Sequence, residues 1–317
     1  MPLCQLREPP KSSFVNGFVD RLGYFALVAL WRLFGAFSLA TSRRLLEGLG
    51  TFVAIFDKHH AQIIADNLEL AFPELDDAAR QQLAVRSVTN WGRMAAELAH
   101  ADELYTPEVA AAYEPIRRKT AELHERGKGV LLLTAHCGNF ELMGRHWGRG
   151  GGRIALFHRP FSNPLANEWL LAQRLSTNLR TIGRGSQIRQ TLRFLRDGIA
   201  VAAPLDQNQL PGRGVFVEHF GKLASTSTML ARLSDSLGAP VLPVYAYWDG
   251  ELSWPRMGEV IEPSGPGSPV AAGQDRDARL LALTQAYSDS IEEMVCSYPS
   301  QWNWSHRRWK TRPPVAS

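Results

Sequence analysis

The sequence predicts an α/β protein: a mixed, largely parallel sheet flanked by helices and preceded by an N-terminal hydrophobic helical segment. Two observations predict this fold class. From Val130 onward, short continuous apolar runs alternate with amphipathic segments, which is typical of strands whose two faces are covered by helices. Before Val130 the periodicity is helical, most clearly over residues 76–100. The chain has 317 residues, of which 45% are hydrophobic, enough for a substantial core.

The N-terminal segment Leu22 to Ala40 is strongly apolar, with Arg32 near its middle. A spanning helix needs roughly 20 apolar residues, so the segment is just long enough to cross a bilayer. A central charge is better tolerated by a helix lying in one leaflet, and we favour such a membrane anchor over a full span. A buried core helix is the alternative. The late start of the apolar stretch argues against a cleaved signal peptide.

The remaining elements follow from hydrophobic periodicity and from turn signals. We predict an irregular lead over residues 1–16, and helices over residues 45–56, 61–70, 76–100, 115–127, 139–147, 165–178, 187–196, 226–237 and 280–296. We predict strands over residues 130–134, 154–158, 199–203, 241–247 and 259–261. The chain then divides into a lead with membrane-anchoring helices, residues 1–60, and a catalytic domain, residues 61–317.

Composition excludes several classes of protein. The 35 basic and 31 acidic residues give a net charge of only +4, and the three cysteines are widely separated. That spacing indicates neither a disulfide framework nor a zinc site, so a reducing compartment is the simplest interpretation. The glycine signatures of dinucleotide and P-loop sites are missing from the sequence, which does not support nucleotide binding.

The run from His136 to Glu141 follows a predicted buried strand and opens a predicted helix. Its His-x4-Glu spacing offers a general base and a carboxylate that would orient it. The backbone N–H groups of Gly138 and Asn139 would lie near a positive helix end, which suits a developing oxyanion. The alternative is a histidine satisfied at a strand end. Cys137 would point away from His136, and we interpret it as a core residue.

Other polar residues also follow predicted strands. Arg159 and Asn163 come after the second strand, and Arg174 one helix later; arginine at a strand end commonly binds carboxylate or phosphate. Asp206 and Gln207 follow the next strand. Asp206 could support His136, support an arginine, or cap a loop. Thr226 to Thr228 are typical of a helix cap.

The C-terminal segment interleaves tryptophans with cations, among them Arg307, Arg308 and Lys310. This pattern fits nucleic acid, anionic lipid headgroups or a membrane interface. Beside a hydrophobic N-terminal segment, lipid is the better interpretation. Nucleic-acid binding has only the basic tail in its favour.

These motifs together resemble the bacterial late acyltransferases of lipid A biosynthesis, within the wider lysophospholipid acyltransferase group. The matching blocks are Asn67-Leu68 with Phe72-Pro73-Glu74, His136 to Glu141, Arg159-Pro160 with Asn163-Pro164 and Arg174, Asp206-Gln207 with Gly214 to Val217 and Phe220-Gly221, and Pro299 to Pro313. Trp309 stands where phenylalanine is common in the family. Their order along most of the chain gives the resemblance its weight.

The resemblance implies a glycerolipid acyltransferase-like fold and an enzyme of the bacterial inner membrane whose active site faces the cytoplasm. It implies transfer of a fatty acyl chain from acyl carrier protein or coenzyme A to a hydroxyl of a lipid A precursor, with no metal and no bound cofactor. His136 would be the base and Glu141 its partner, with Arg174 and Asp206 in the same site. Substrate-binding roles fall to Gly138, Asn139, Arg159, Asn163, Gln207, Arg307, Arg308 and Lys310.

Three alternatives stay open at this point. The same chemistry could act on another acceptor, such as a mannosylated phosphatidylinositol or an amine-bearing lipid. The chain could instead be a membrane-binding relative without activity, or a hydrolase in which water replaces the acceptor.

Overall fold

The computed structural model describes residues 14–183 and 187–314 and has eleven helices and eight strands in these ranges. The helices are α1 (Phe14–Ala36), α2 (Leu39–Phe56), α3 (Lys58–Ala71), α4 (Asp77–Ala99), α5 (Pro107–Ala112), α6 (Glu114–Glu125), α7 (Phe140–Arg149), α8 (Pro164–Ser176), α9 (Gln187–Arg196), α10 (Met229–Leu237) and α11 (Arg276–Ser297). The strands are β1 (Leu131–Thr134), β2 (Ile154–Phe157), β3 (Leu179–Ile182), β4 (Ala200–Pro204), β5 (Val215–His219), β6 (Lys222–Thr226), β7 (Val241–Asp249) and β8 (Leu252–Met257). Most of the predicted lead lies outside the described residues.

The main sheet has six strands in the order β3-β2-β4-β1-β7-β8. All neighbouring pairs are parallel except β7–β8, which is antiparallel at the edge. Alternate residues of β1 enter two different core clusters: Leu131 and Leu133 face α9, α10 and α11, whereas Leu132 faces α6 and α7. The predicted mixed, largely parallel α/β fold is therefore confirmed.

Several predicted elements differ from the structure. Residues 259–261 form no strand; Ile261 makes only an isolated bridge to Val241, since β8 takes the neighbouring edge of β7. The helix predicted from Thr226 begins at Met229, because Thr226 ends β6. Strands β3, β5, β6 and β8 were not predicted.

The apolar N-terminal segment is split into two helices. Helix α1 ends at Ala36, and the side chain of Ser38 caps α2 by accepting a hydrogen bond from the Thr41 N–H at 3.2 Å. In residues 14–183 and 187–314, no helix is long and apolar enough to cross a membrane. The hydrophobic membrane anchor predicted from the sequence is therefore not supported.

Both N-terminal helices expose apolar side chains. On α2 these include Leu45, Leu49, Phe52 and Phe56, which follow a helical repeat and define the α2 stripe. The opposite side of α2 packs on α4, and its buried Arg43 contacts Glu97 there. The division of the chain at residue 60 stays a prediction.

Candidate active site

His136 and Asp206 are brought together by the register of two parallel strands. β1 pairs with β4 so that Thr134 lies opposite Pro204, and each site residue follows its strand end by two positions. The His136 Nδ1 atom lies 2.8 Å from Asp206 Oδ1. Because an ionised carboxylate only accepts hydrogen bonds, Nδ1 carries the proton and Nε2 is left as the acceptor. This arrangement is that of a general base held by a carboxylate.

The Asp206 carboxylate is fully engaged and buried. Besides the imidazole, its Oδ2 atom accepts hydrogen bonds from the His136 backbone N–H at 2.8 Å and from Trp302 Nε1 at 2.9 Å. Burial raises the pKa of Asp206, but the charge and hydrogen bonds of His136 outweigh burial and hold that pKa well below its ordinary value. Burial likewise lowers the pKa of His136, and the charge of Asp206 overcomes it, so the pKa of His136 lies above its ordinary value.

The predicted contact between Glu141 and His136 is not formed. Glu141 is buried in the first turn of α7, where Arg174 Nε donates to Oε1 at 3.0 Å and Arg174 Nη2 donates to Oε2 at 2.7 Å. Arg145 Nε adds a longer bond of 3.3 Å to Oε1. Within the described parts of the chain, no hydrogen bond joins Glu141 to His136. Asp206 is the carboxylate that orients His136, one of the alternatives that the sequence left open.

Arg174 joins Glu141 to His158 in a second buried polar network, and its predicted role in the site stays a prediction. It lies in the last turn of α8, buried, with Nη1 at 3.1 Å from His158 Nδ1. Since guanidinium can only donate, His158 Nδ1 accepts and its Nε2–H donates to Asn167 Oδ1 at 2.7 Å. The two arginines hold the pKa of Glu141 below its ordinary value despite its burial, which raises it. The result is an ionised carboxylate fixed beside the start of α7.

The loop after His136 is shaped by close backbone approaches. Gly138 has φ +53°, and a Cβ atom there would lie 2.5 Å from the Ala246 carbonyl oxygen. Its N–H donates to the Gln301 carbonyl at 2.9 Å, so this group is not free for an oxyanion. The predicted oxyanion role of Gly138 is therefore wrong. Cys137 is buried, and burial raises the pKa of its thiol, which confirms that it is a core residue.

Asn139 and Asn163 cap helices instead of facing an open cleft. Asn139 Oδ1 accepts from the Leu142 N–H at 3.0 Å and caps α7, and its side chain is buried. Asn163 Oδ1 accepts from the Ala166 N–H at 3.1 Å and caps α8, while its Nδ2 donates to the Asp20 carbonyl of α1 at 2.8 Å. These contacts account for the side chains of both residues without a substrate.

Gln207 and Arg159 are exposed residues that follow the ends of β4 and β2. Gln207 Nε2 lies 3.5 Å from His136 Nε2, too far for a good hydrogen bond, and Gln207 is exposed. The side chain of His136 is 19% exposed. Arg159 has no hydrogen bond or ion pair to any residue in the described ranges. Both residues are available to a ligand.

The predicted C-terminal cations separate into two kinds. Arg308 is buried, and it donates to the Ser225 carbonyl at 3.0 Å and to Thr226 Oγ1 at 2.6 Å. Its role as an acceptor-binding residue is therefore wrong, because its side chain is consumed by the β5–β6 hairpin. Burial lowers the pKa of Arg308 to about 10. Arg307 and Lys310 are exposed and border a cleft along α3.

The C-terminal segment completes the wall of the site. Trp302 forms a bridge with Cys137, and the Asn303 N–H donates to the His136 carbonyl at 3.0 Å. Trp302, Asn303 and Gln301 line a narrow cleft at His136 together with α4 residues such as Trp91 and Met94. Sequence analysis assigned none of these residues to the site. The position of Trp302 and Gln301 in the C-terminal motif was the available signal.

The chain matches known proteins over nearly its whole length. A family model described as bacterial lipid A biosynthesis acyltransferase matches residues 18–311. The chain is 29% identical over 282 residues to the lipid A biosynthesis lauroyltransferase of Escherichia coli (strain K12), covering 85% of each chain. It is 28% identical over 274 residues to the lipid A biosynthesis palmitoleoyltransferase of the same organism, covering 84% of this chain and 83% of the relative.

A more distant match extends over a shorter part of the chain. The phosphatidylinositol mannoside acyltransferase of Mycolicibacterium smegmatis is 20% identical over 188 residues, which cover 58% of each chain. The family model, by contrast, includes every residue of the site described above. The chain therefore belongs to the bacterial lipid A biosynthesis acyltransferase family and is an acyltransferase.

Proposed function

We propose that the enzyme transfers a fatty acyl chain from a thioester, carried by acyl carrier protein or coenzyme A, to a hydroxyl of a lipid A precursor. One observation carries the mechanism: His136 Nδ1–H is bound to buried Asp206 at 2.8 Å, which leaves Nε2 as the acceptor of a side chain that is 19% exposed. The names of the similar proteins support lipid A as the acceptor class.

In the proposed reaction, His136 Nε2 removes the proton from the acceptor hydroxyl as its oxygen attacks the thioester carbonyl carbon. The resulting tetrahedral intermediate expels the thiolate, which takes the proton back from His136. Asp206 stabilises the imidazolium between these two steps. The positive end of α7 begins at Phe140, whose ring packs on His136 with 4.9 Å between ring centroids, and it favours the negative charge of the intermediate.

Glu141 and Arg174 are proposed to act beside this pair, not on His136 directly. Their buried ion pair fixes the first turn of α7 and leaves His158 next to the exposed Arg159. Arg159 and Gln207 are proposed to bind substrate, as their free side chains allow. Arg307 and Lys310 are proposed to contact an anionic acceptor. No metal or bound cofactor takes part in the proposed reaction.

The α2 stripe supports a further part of the proposal, that the enzyme works at the cytoplasmic face of the bacterial inner membrane. Its four large apolar side chains are each about half exposed or more. Exposed apolar patches of this kind on a helix are typical of interaction with lipid. An acceptor held in a membrane would then be presented to His136 from that surface.

The test is mass spectrometry of lipid A from a Gram-negative host that lacks one late acyl chain. Expression of the intact protein should add the mass of one acyl chain, whose length the spectrum reports. His136→Ala should add nothing, while His60→Ala, which changes an exposed histidine on α3, should behave as the intact protein. No gain with a well-expressed protein would contradict lipid A as the acceptor, and a mannosylated phosphatidylinositol would be assayed next.

A further inference from the structure

We propose that Glu97 is a positioning residue of the active site, fixing the loop from His136 to Asn139 against helices α2 and α4. The proposal rests on the proposed function for its kinetic part. Glu97 lies near the C-terminal end of α4, its side chain has 0% exposure, and it is absent from the motifs that carry the family resemblance.

The Glu97 carboxylate accepts four hydrogen bonds from four different residues. Its Oε1 atom accepts from Arg43 Nη2 and from Arg93 Nε, both at 2.8 Å. Its Oε2 atom accepts from Asn139 Nδ2 at 2.9 Å and from Trp248 Nε1 at 2.8 Å. A carboxylate has about four acceptor positions, so this buried group is saturated. We refer to these five residues as the Glu97 cluster.

One branch of the cluster reaches the active site through Asn139. The same side chain that donates to Glu97 accepts the Leu142 N–H at 3.0 Å and so starts α7. Asn139 follows His136 by three residues. The next residue, Phe140, packs its ring on the imidazole. The orientation of Asn139 therefore fixes the start of α7 relative to the base.

The second branch reaches the same loop through Trp248 on β7. The Trp248 backbone N–H donates to Gln301 Oε1 at 2.7 Å, and Gln301 Nε2 returns a bond to the Trp248 carbonyl at 2.9 Å. The Gln301 carbonyl then accepts the Gly138 N–H at 2.9 Å. Gly138 and Asn139, adjacent residues of the loop that follows His136, are thus both connected to one atom, Oε2 of Glu97.

The other side of the cluster fixes Glu97 itself. Arg43 belongs to α2 and also contacts Glu251 in the β7–β8 turn, and Arg93 Nη2 donates to the Gly250 carbonyl at 2.8 Å. Two guanidinium groups on one buried carboxylate give it charge-assisted hydrogen bonds and restrict its rotamer. These contacts therefore fix the position of the loop relative to α2, to α4 and to the β7–β8 turn.

Glu97→Gln tests this role, because an amide nitrogen cannot accept hydrogen bonds and would face two of the four donors. Hydrogen exchange with residue-level resolution should show that the Gly138 and Leu142 amides exchange about tenfold faster or more, as expected when a hydrogen bond to a charged group is lost. Amides of β4 and α11 should be unchanged. In acyl transfer, kcat should fall about tenfold or more while KM for the thioester changes less than about threefold.

The pH at which the rate is half-maximal should not move in Glu97→Gln, because the contact between His136 and Asp206 stays intact. In the double variant Glu97→Gln with Asn139→Asp, the carboxylate and the amide exchange places in the contact between the two residues. Aspartate is also a good helix cap, so the double variant should regain part of the lost kcat. Asp235→Asn is the matched control, since it removes another carboxylate, whose side chain is 12% exposed, from an arginine, Arg279, far along the chain.

Three results would overturn the proposal: unchanged exchange at Gly138 and Leu142, a kcat loss equal to that of Asp235→Asn at equal thermal stability, or a shifted pH midpoint. Trp248→Phe, which removes one of the four donors and keeps an aromatic ring, gives the same readouts if Glu97→Gln does not fold. Hydrogen exchange needs no substrate, so it tests the positioning role even if the intact protein transfers no acyl chain. A lack of acyl transfer by the intact protein would contradict only the proposed function.

Discussion

At the scale of single residues, the active site depends on which carboxylate meets His136. The spacing of His136 and Glu141 along the chain suggested one partner, and strand pairing supplied another, Asp206. Glu141 lies in the first turn of α7, where Arg174 and Arg145 hold it away from the imidazole. Sequence proximity thus did not predict the contact, because β1 and β4 are parallel neighbours whose ends coincide.

The two carboxylates can be told apart by pH. The rate should fall as pH drops through the raised pKa of His136, because the protonated imidazole cannot act as a base. Asp206→Asn removes the charge that raises this pKa, so the acid limb of the pH–rate profile should move to lower pH, and the plateau rate should fall about 10²-fold or more. Glu141→Gln should leave the midpoint in place.

The measurement is the initial rate of acyl transfer between pH 4 and 9, a range of about two units or more on either side of the ordinary histidine pKa. Circular dichroism of each variant at every pH excludes unfolding as the cause of a lost rate. A midpoint that moves in Glu141→Gln and stays in Asp206→Asn would reverse the assignment of the two residues.

Trp302 shows what residue-level reasoning missed at the site. Its indole N–H donates to Asp206 Oδ2, although some 96 positions separate the two residues along the chain. The C-terminal motif marked the residue without indicating a partner. A buried carboxylate needs donors for its free lone pairs, and only the folded chain shows which distant residue provides one.

At the scale of elements, two helices agreed best with the sequence. Helix α9 has the predicted bounds, and α4 differs from the prediction at its ends only, with Asp76 as its cap. The β5–β6 hairpin was missed because its two strands join through a tight turn at Phe220 and Gly221, both at positive φ. The X-Gly pair between alternating apolar residues was the signal that could have revealed this turn.

The α2 stripe should determine binding to lipid. Replacing Phe52 and Phe56 by serine removes two exposed rings whose full burial would contribute about 1.5–3 kcal/mol each. We therefore expect binding to anionic phospholipid vesicles to weaken at least about tenfold, with the folded structure unchanged. Vesicle flotation with purified protein measures this.

Ile188→Ser is the matched control for the α2 stripe. Ile188 lies on α9 and is 71% exposed, so its replacement also removes an exposed apolar side chain, outside the N-terminal helices. Its vesicle binding should equal that of the intact protein. An equal loss in the control, or no loss in the Phe52 and Phe56 variant, would argue against α2 as the lipid-binding helix.

At the scale of the whole molecule, the C-terminal segment connects distant parts of the chain. Asn67 Nδ2 on α3 donates to the Trp304 and His306 carbonyls, both at 2.8 Å, while Trp302 bridges to the loop after β1. Trp302, Trp304 and Trp309 are buried in the core cluster beneath α11. The C-terminal segment therefore contributes both to the hydrophobic core and to the wall of the active site.

Replacement of two neighbouring arginines in this tail should have unequal effects on stability. Arg308→Met leaves the Ser225 carbonyl and Thr226 Oγ1 buried without their donor, so the free energy of unfolding should fall by about 2–4 kcal/mol. Arg307→Met changes an exposed side chain, and its effect should stay within about 0.5 kcal/mol. Urea unfolding followed by tryptophan fluorescence measures both, and equal values would contradict the burial of Arg308.

The sequence by itself determined the α/β class, the strand ends at which polar residues collect, and the membership of the acyltransferase family. These depend on local patterns and short motifs, which the chain carries wherever it folds. Tertiary structure alone decided that Asp206 holds His136, that Arg308 is internal, and that Glu97 connects the helices to the loop. Each of these contacts joins residues 40 or more positions apart, and their pairing depends on strand order and register, which hydrophobic periodicity does not encode.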